Sequence, residues 1–429
     1  MLQRGTCGAT ARAARLPLLV TAPLASSSRC ASSTSSRRII GDVSRGCRST
    51  IDSVCRVRDV IGVGNGAVGG GTCVSSRLPA GEVLSLVDIC AARAASKHVF
   101  GKFTIGFGDP DSGEAQPEAS VATVAMDQMM FPKPIMAGDL IDLKGTVVNV
   151  GASSIAVNVD VRRIQFGTKE KQHVASALVF MVAVDSKLRA AKIVPALEFD
   201  AANIGWLEER HTYVKDARDH FNELLAFEKT LTAPDANVNT LLDIQPKLFA
   251  PDPSKRYSST IPSTKHTVNR LFFPSHLNLN NTVFGGELLR WMEAHAVHCG
   301  RAFSGNRNGV FTIGMHAIQF DQPVYKTDWM LLEAHVVNVK RTTMEVDVQV
   351  VAERDGKKVT TNRANFVLAS LDESGQRLEV PSGLQLSESD EYKWMRRHVL
   401  ATRRYDTMRA KRLLEQQASA AAKLGLKTE

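Results

Sequence analysis

Residues 121–161 read VATVAMDQMMFPKPIMAGDLIDLKGTVVNVGASSIAVNVDV, and residues 310–350 read VFTIGMHAIQFDQPVYKTDWMLLEAHVVNVKRTTMEVDVQV. The two stretches align without a gap at an offset of 189 residues. The coinciding positions are Thr123/Thr312, Met126/Met315, Phe131/Phe320, Pro134/Pro323, Asp139/Asp328 and residues 147–150 with 336–339. A repeat of this kind indicates two copies of one structural module, so the chain carries an internal pseudo-dimer.

A helix precedes the repeated strands in each copy. Residues 81–92, GEVLSLVDICAA, and residues 286–293, GELLRWME, open these helices, and the first is apolar on nearly every face, which predicts burial. Residues 154–161 and 344–350 alternate with the period of two that is typical of strands. Short breaks favour hairpin turns at residues 137–139, 151–153 and 354–356. The sequence predicts an α+β fold in which each copy packs a buried helix against a curved antiparallel sheet.

The rest of the chain is divided by composition. The two helices lie 205 residues apart, which places an insertion of 16 residues in the first copy, with residues 101–118 as the candidate loop. The predicted organisation is a leader over residues 1–45, a glycine-rich tether over 46–75, a first module over 76–200, a helical linker over 201–262, a second module over 263–387 and a basic C-terminal helix over 388–429.

The positive charge of the chain is concentrated at its two ends. The formal net charge is +9, of which residues 1–41 contribute +6 and residues 390–429 contribute +5, so the body is nearly neutral. This placement argues against nucleic-acid binding. The hydrophobic fraction of 44% excludes collagen-like and wholly disordered chains. No apolar run approaches about 20 residues, so no transmembrane segment is expected.

The N-terminal and C-terminal segments each leave alternatives open. The leader is rich in Arg and Ser and lacks acidic residues through residue 41, which is typical of a mitochondrial transit peptide and predicts the mitochondrial matrix. The short apolar run at residues 16–20 keeps a secretory signal as the alternative. The basic C-terminal helix is predicted to pack on the body, with contact to a lipid surface or RNA as alternatives.

The metal-binding and nucleophilic residue types form no recognisable motif. Seven cysteines include no CxxC pair, which favours neither a zinc site nor a disulfide framework. The glycine-rich residues 62–71 lack the Gly-Lys-Ser/Thr ending of a phosphate loop. His276, His295 and His298 show no metal-ligand spacing and are predicted to be core or rim residues. No metal or other cofactor is expected.

Two positions are candidates for chemistry on the residues alone. Asp88 lies on the first helix, where its neighbours three and four residues away are apolar or small, so its carboxylate is expected to be desolvated and a stronger base, unless it makes a structural hydrogen bond. Residues 275–286, SHLNLNNTVFGG, form an asparagine-rich loop that ends where the second helix begins. The unpaired N–H groups at this helix start, at Gly285 and Gly286, form a site for an oxyanion; the alternative is an ordinary capped turn.

The loop and helix resemble a known protein family. Asn278, Asn281 and the run Phe284-Gly285-Gly286-Glu287-Leu288-Leu289, followed by Met292 and Glu293, resemble the loop-to-helix signature of acyl-CoA thioesterases with the hotdog fold. The segment from Phe320 through Pro323 and Asp328 resembles that family's strands. The duplication and the Arg-rich leader are most similar to its mitochondrial double-hotdog branch. The resemblance covers residues 76–387 and is stronger in the second copy.

The resemblance implies a composite site that draws on both copies. In the family, a carboxylate on the helix of one copy acts with an asparagine in the loop of the other, which here implies Asp88 with Asn278. The second pairing would place Glu293 opposite Cys73, since the position of Asn278 carried back by 205 residues falls on a cysteine. We therefore expect one active centre. Arg290, three residues before Glu293, is expected to be able to form a salt bridge with it.

The resemblance also implies a substrate and partners. The substrate would be acyl-CoA, hydrolysed without a cofactor, and the protein would be a homo-oligomer of double-hotdog protomers. The coenzyme A end is expected near Arg341, Thr342 and Thr343, with Ser153 and Ser154 as the counterpart in the first copy. The functional alternatives are a non-catalytic acyl-CoA sensor or scaffold, and a hotdog hydratase or dehydratase. The latter needs a histidine near the helix carboxylate, and the next histidine after Asp88 is His98.

Overall fold

The computed structural model describes residues 38–60, 77–102, 119–164, 170–199, 204–354 and 356–423. The first module contains one long helix, α1 (Ala80–Phe100). Its strands are β1 (Arg38–Ile40), β2 (Cys47–Ser49), β3 (Cys55–Val60), β4 (Ala119–Met126), β5 (Met129–Met130), β6 (Leu140–Val150), β7 (Ser154–Ile164), β8 (Lys171–Asp185) and β9 (Ala196–Phe199). Two linker helices follow, α2 (Ile204–Thr230) and α3 (Val238–Ile244).

The second module repeats the design around helix α4 (Gly285–Ser304). Its strands are β10 (Tyr257–Ser259), β11 (His266–Arg270), β12 (Val310–Met315), β13 (Ile318–Phe320), β14 (Trp329–Val339), β15 (Thr343–Arg354), β16 (Lys357–Ser370) and β17 (Ser382–Leu384). Helix α5 (Tyr392–Lys423) follows. Each module is thus a helix wrapped by an antiparallel sheet, which confirms the predicted tandem hotdog fold.

The two modules share one continuous sheet of twelve strands. Its main path runs β11-β14-β15-β16-β13-β4-β8-β7-β6-β3, and β12 and β5 pair beside it. The modules are joined where β13 pairs with β4, at Ile318 opposite Met126, and where β12 pairs with β5. All pairs within this sheet are antiparallel. The shared sheet makes the pseudo-dimer a single body.

The two long helices pack against each other in antiparallel orientation. A Cβ on Gly286 would lie 2.9 Å from Cα of Ser85, and a Cβ on Gly81 would lie 3.0 Å from Cα of Arg290. The two glycines occupy equivalent positions, 205 residues apart, so the contact is symmetric. Because neither carries a side chain, the backbones approach closely, and the start of each helix lies against the second turn of the other.

The core confirms the predicted burial of the first helix. Val83, Leu84, Val87 and Cys90 are fully buried, and α1 packs on strands β6 and β7 behind it. An apolar helix is stable in this position because the sheet covers one side and α4 covers the other.

The beginning of the first module corrects the predicted organisation. Strands β1, β2 and β3 lie in residues 38–60, where the sequence predicted the end of the leader and the glycine-rich tether. Cys55 and Val57 are buried and Arg56 is exposed, and β3 pairs with β6 along the edge of the large sheet. This short alternation gives the edge strand one buried face. Residues 1–37 and 61–76 lie outside the described residues.

Two of the three predicted turns are confirmed in position. Residues 151–153 join β6 to β7, and β15 and β16 pair on either side of residues 355–356. Residues 137–139 form a turn that does not join paired strands, because β6 pairs with β3 and β7. Gly138 has φ +90 there, so the turn redirects the chain into the long strand β6. The predicted insertion loop lies mostly outside the described residues, since residues 103–118 are not among them.

The C-terminal helix packs on the second module, as predicted. The buried residues of α5 are Trp394, Met395, Val399, Leu400, Ala401 and Met408. Its basic face is partly used for ion pairs, because the Arg404 guanidinium binds Glu345 and Arg397 approaches Asp347 to 3.5 Å. Both carboxylates lie on β15 beneath the helix. The positive charge of this segment therefore anchors it to the sheet.

Candidate active site

Asp88 lies on α1 and is completely buried. The Thr123 hydroxyl on β4 donates a hydrogen bond of 2.6 Å to Oδ1. The other oxygen, Oδ2, has no hydrogen-bond partner within the described part of the chain. It faces the start of α4 in the other module, since a Cβ on Gly285 would lie 3.0 Å from it. One carboxylate oxygen is thus held and the other is directed at a helix N-terminus.

The surroundings of Asp88 change its acidity. Burial raises the pKa of Asp88 to about 6, while the Thr123 hydrogen bond and the N–H of Gly286 act in the opposite direction. A carboxylate with a pKa near 6 is largely ionised at neutral pH and is a stronger base than an exposed aspartate. This confirms the desolvation that was expected from the apolar neighbours of Asp88.

The start of α4 supplies donors at the same place. The first N–H groups of a helix have no partner inside the helix, and the helix dipole makes this end positive. In α4 these groups belong to Gly285 and Gly286. The N–H of Gly286 acts on the Asp88 carboxylate, and a Cβ on Gly285 would lie 3.0 Å from its Oδ2. The ring of Phe320 lies 3.4 Å from the position of a Cβ on Gly285, so the space beside these N–H groups is narrow. The arrangement suits a small oxygen atom that develops negative charge.

The loop before α4 is held in shape by Asn278. Its Oδ1 accepts hydrogen bonds from the backbone N–H of Asn280 at 2.9 Å and from the Thr282 hydroxyl at 3.0 Å. Asn281 has φ +56, the left-handed conformation expected for this asparagine-rich turn. Ser120 of the first module donates a hydrogen bond of 2.6 Å to Asn280. Among the described residues, no acceptor binds the Asn278 side-chain N–H₂, which leaves these donors free.

A cavity of about 770 Å³ brings the two modules together at this site. Thr123 of the first module and Asn278 and Gly285 of the second all line it. Asp88 lies directly behind this wall, between Thr123 and Gly285. Asn278 thus lines the cavity, and Asp88 lies behind its wall without lining it.

Glu293 occupies the equivalent position in the other module. It is completely buried on α4, and its Oε1 accepts hydrogen bonds from the Thr312 hydroxyl at 2.5 Å and from the N–H of Ala80 at 3.2 Å. Burial raises its pKa. A predicted pairing is wrong here: Arg290 instead binds Glu287 at 2.7 Å and approaches Glu82 to 3.5 Å. The Arg290 side chain is partly exposed and is held by these two carboxylates, whereas Glu293 is completely buried.

The second site differs from the first because its carboxylate accepts a hydrogen bond from an N–H group at the start of α1. Glu293 is one methylene longer than Asp88, and its Oε1 binds the N–H of Ala80 directly. The N–H of Ala80 is thus bound by Glu293 and is not available to a substrate oxygen. A cavity of about 670 Å³ adjoins this site, with Ala80 and Thr312 in its lining. Cys73 lies outside the described residues.

The predicted coenzyme A contacts are not brought to either cavity. Arg341 binds Glu379 at 3.3 Å on an exposed turn, and its neighbours Thr342 and Thr343 lead into β15. Ser153 lies in the turn before β7, and Ser154 is the first residue of that strand. None of these five residues lines the cavities beside Asp88 and Glu293. The cations that do line the first cavity are Arg93, Lys187 and Arg354.

Thr123 was missed by the sequence reasoning as a site residue, although a signal for it existed. Thr123 and Thr312 coincide in the repeat, and each binds the carboxylate of its own module's helix. A position that is identical in two otherwise divergent copies indicates a shared constraint, and the structure shows that this constraint is the carboxylate.

The remaining candidate groups have structural contacts. His276 accepts a hydrogen bond from the N–H of Phe273, His295 binds the carbonyl of His266, and the His298 ring contacts that of His266. Among the described residues, no group of three or more His, Cys, Asp or Glu side chains is arranged to hold a metal ion. No helix in the described ranges combines the length and apolarity needed to cross a membrane.

Comparison with known proteins identifies related chains. The sequence profile of the thioesterase superfamily matches residues 80–167 and 280–359, one stretch in each module. An uncharacterized acyl-CoA thioester hydrolase of Zymomonas mobilis is 30% identical over 124 residues, which are 28% of this chain and 83% of that protein. Acyl-coenzyme A thioesterase 11 of Mus musculus is 25% identical over 310 residues, 70% of this chain and 46% of that protein. Acetyl-coenzyme A thioesterase of Rattus norvegicus is 21% identical over 343 residues, 76% of this chain and 55% of that protein. The chain thus spans about half the length of these two mammalian proteins.

Proposed function

The chain belongs to the thioesterase superfamily, and from this premise we propose that it hydrolyses acyl-CoA to the free acid and coenzyme A. One observation carries the proposal: the buried carboxylate of Asp88, with its pKa raised to about 6, faces the N-terminus of a helix from the other module. A base and an oxyanion site are thereby placed side by side, which is what attack on a thioester carbonyl requires.

The hydrolysis proceeds in two steps at this site. Asp88 takes a proton from a water molecule while the water oxygen bonds to the thioester carbonyl carbon. The carbonyl oxygen becomes an oxyanion, which the N–H groups of Gly285 and Gly286 stabilise and which the Asn278 amide orients. The carbon–sulfur bond then breaks, and the thiolate of coenzyme A leaves and receives the proton from Asp88. The products are a carboxylic acid and a thiol, and no external reductant or oxidant is needed.

Direct attack by Asp88 on the carbonyl carbon is the competing route, and labelled water distinguishes the two. With enzyme in excess over acyl-CoA in water labelled with heavy oxygen, the proposed route puts label into the acid on the first turnover. Direct attack would expel the thiolate and form an anhydride between the acyl group and Asp88. Water then puts its label into Asp88 if it attacks the aspartyl carbon, so the first acid is unlabelled; if water attacks the acyl carbon, the acid is labelled but the anhydride can be trapped with hydroxylamine.

The main test follows free thiol while the full chain is incubated with a panel of acyl-CoAs. We expect thiol release from at least one acyl-CoA, and we expect Asp88→Asn to lower turnover by about 10² to 10⁴-fold, as loss of a general base does. The cavity wall stays intact in this variant because the asparagine can still accept the Thr123 hydrogen bond. Acyl-CoA binding without any thiol release would instead favour the sensor or scaffold alternative.

A hydratase function is tested in the same experiment. No histidine lines the first cavity within the described ranges, whereas such an enzyme pairs its carboxylate with a histidine. A hydratase would remove the conjugated double bond of an enoyl-CoA and thereby lower its ultraviolet absorbance. We expect the absorbance to fall only as far as thioester cleavage, measured as free thiol, accounts for.

We further propose that the protein forms a homo-oligomer and is imported into the mitochondrial matrix. Leu271, Phe273 and Trp329 are large apolar side chains exposed near the β11 edge of the sheet, which supports association of protomers. Light scattering of the full chain should therefore give a mass above 46.7 kDa.

The acid-free, Arg-rich composition of residues 1–41 supports import into the mitochondrial matrix. Fusion of residues 1–45 to a fluorescent protein should direct it to mitochondria, and replacing the six arginines of residues 1–41 with alanine should abolish this.

A further inference from the structure

Two cysteines meet in the core of the first module. Cys55 lies on β3, the strand that ends the shared sheet, and Cys90 lies on α1, which packs against that sheet. Both side chains are buried, and both are free thiols. Neither residue lines the cavity beside Asp88 or the cavity beside Glu293. The proposed hydrolysis therefore gives this pair no role.

The sheet brings the two side chains together. Cys55 lies directly opposite Gly145 on β6, so a side chain at either position projects from the same face of the sheet. Gly145 has none, and Sγ of Cys90 lies 3.1 Å from the point where a Cβ on Gly145 would stand. The Cys90 thiol also donates a hydrogen bond of 4.0 Å to the backbone carbonyl of Cys55. The missing side chain of Gly145 thus leaves the Cys90 sulfur beside Cys55.

The surroundings favour the thiolate of Cys55. A hydrogen bond from the Cys90 thiol lowers the pKa of Cys55, burial acts in the opposite direction, and the charges of Arg93 and Lys97 lower the pKa further. Both cations follow Cys90 within two turns of α1, and the Lys97 ammonium donates a hydrogen bond of 3.3 Å to the carbonyl of Val54. The hydrogen bond between the thiols also raises the pKa of Cys90. Cys55 is therefore the thiol that ionises first, and Cys90 is its protonated neighbour.

A thiolate beside a second thiol is the arrangement that a peroxide converts into a disulfide. We propose that Cys55 and Cys90 form a reversible disulfide, with hydrogen peroxide as the oxidant, which fastens the edge strand β3 to α1. The Cys55 thiolate attacks one peroxide oxygen, the O–O bond breaks, hydroxide leaves and Cys55 becomes a sulfenic acid. The Cys90 sulfur then attacks the Cys55 sulfur, and the sulfenic oxygen leaves as water with the Cys90 proton. The two sulfurs give up the electron pair that reduces the peroxide, and a dithiol returns it.

The bond would stabilise a weakly held part of the sheet. Strand β3 pairs with one strand, β6, because it lies at the end of the sheet. Cys55 and Cys90 are 35 residues apart in the chain, so a disulfide between them restricts the unfolded chain and raises the free energy of unfolding. Oxidation is therefore expected to raise the melting temperature.

Peptide mapping of the full chain tests the inference independently of the proposed hydrolysis. The protein is treated with hydrogen peroxide under native conditions, the remaining thiols are alkylated, and the chain is digested with trypsin without a reductant. We expect peptides 49–56 and 78–93, which contain one cysteine each, to be cross-linked, and dithiothreitol to release them. Cys299→Ser is the matched control, because Cys299 is buried in the second module, where it donates a hydrogen bond to the carbonyl of Thr264. This variant should form the cross-link as the wild type does.

Two variants separate the steps. Cys90→Ser blocks the second step, so peroxide should leave a sulfenic acid on Cys55 that dimedone traps, whereas dimedone should not label Cys90 in Cys55→Ser. The melting temperature of the wild type should rise by at least about 3 °C on oxidation and return on reduction, and that of Cys90→Ser should not rise.

Three results would overturn the inference, and the first two need no variant. In one, Cys55 and Cys90 of the wild type are both recovered as separate alkylated thiols after peroxide treatment. In another, either of them is cross-linked to a different cysteine, such as Cys73. In the third, the oxidised protein melts no higher than the reduced protein. Thermal unfolding of the reduced variants establishes that the compared proteins are folded.

Discussion

Oδ2 of Asp88 lies 3.0 Å from the point where a methyl group on Gly285 would stand, although the two residues belong to different modules. The contact depends on the antiparallel packing of α1 on α4. It brings the buried carboxylate of one module to the helix start of the other, so the proposed site draws on both modules.

Substitution of Gly285 by alanine should therefore impair the site more than the fold. The added methyl group would crowd both Asp88 Oδ2 and the ring of Phe320. We expect thiol release from acyl-CoA to fall at least about tenfold, because a small displacement of a catalytic group has a large effect on rate. Gly205→Ala in α2 is the control, since nothing lies within 4 Å of its added methyl group. Equal activity of the two variants would contradict the assigned oxyanion position.

The pH dependence of turnover should follow the ionisation of Asp88. Burial raises its pKa to about 6, and only the ionised form accepts a proton. The rate kcat/KM is therefore expected to fall on the acid side with a midpoint near pH 6. A midpoint near the ordinary aspartate value of 3.8 would show that the base is not this buried group.

The same pKa has a consequence for stability. The folded protein holds the Asp88 proton more tightly than the unfolded chain, so the stability contributed by the protonated form is present below about pH 4 and is lost as pH rises through about 6. Above pH 6 the wild type carries a buried charge that Asp88→Asn lacks. The variant should thus be more stable there, by on the order of 3 kcal/mol, and the difference should disappear near pH 4. Denaturant unfolding at the two pH values measures this.

The fold could largely be predicted from the sequence, because the repeat itself encodes it. The alignment at an offset of 189 located the strands of both modules, and the 205-residue spacing of the two helices showed that the first module carries an insertion. The strands in residues 38–60 were missed because each is short, three to six residues, and pairs with a strand distant in the chain: β1 and β2 with β9, and β3 with β6. The many glycines of residues 62–71 led to the prediction of a tether over residues 46–75. The short alternation of buried and exposed residues around Cys55 and Val57 was therefore not recognised as a strand.

The candidate site was only partly predictable. Asp88 and Asn278 were found from an apolar helix face and an asparagine-rich loop, both local patterns. Thr123 was not assigned a role, because its contact with Asp88 spans 35 residues and depends on how the sheet curves around the helix. The orientation of Arg290 away from Glu293 likewise depends on packing between helices. Sequence spacing alone shows which residues are near in the chain and not which direction a side chain takes.

Asn278 should have two separable roles. Its Oδ1 holds the turn through Asn280 and Thr282, while its N–H₂ group has no acceptor among the described residues. Asn278→Asp keeps the acceptor and removes the donors, so we expect turnover to fall about 10-fold or more with little change in the melting temperature. Asn278→Ala should lower both turnover and melting temperature, because the turn also loses its acceptor. If both variants keep full activity, the amide donors have no part in catalysis.

Glu293→Gln should affect turnover far less than Asp88→Asn. Both carboxylates are buried and both accept a threonine hydrogen bond, but Oε1 of Glu293 also binds the N–H of Ala80 at the start of α1. The N–H of Ala80 is therefore not available to a substrate oxygen. The equivalent N–H of Gly285 makes no hydrogen bond to Asp88 among the described residues, although the N–H of Gly286 acts on that carboxylate. We expect Glu293→Gln to keep turnover within about threefold of the wild type, against the loss of about 10²-fold or more in Asp88→Asn. Thiol release from the same acyl-CoA measures both, and melting temperatures control for misfolding. A large loss in Glu293→Gln together with an active Asp88→Asn would place the catalytic centre in the other cavity.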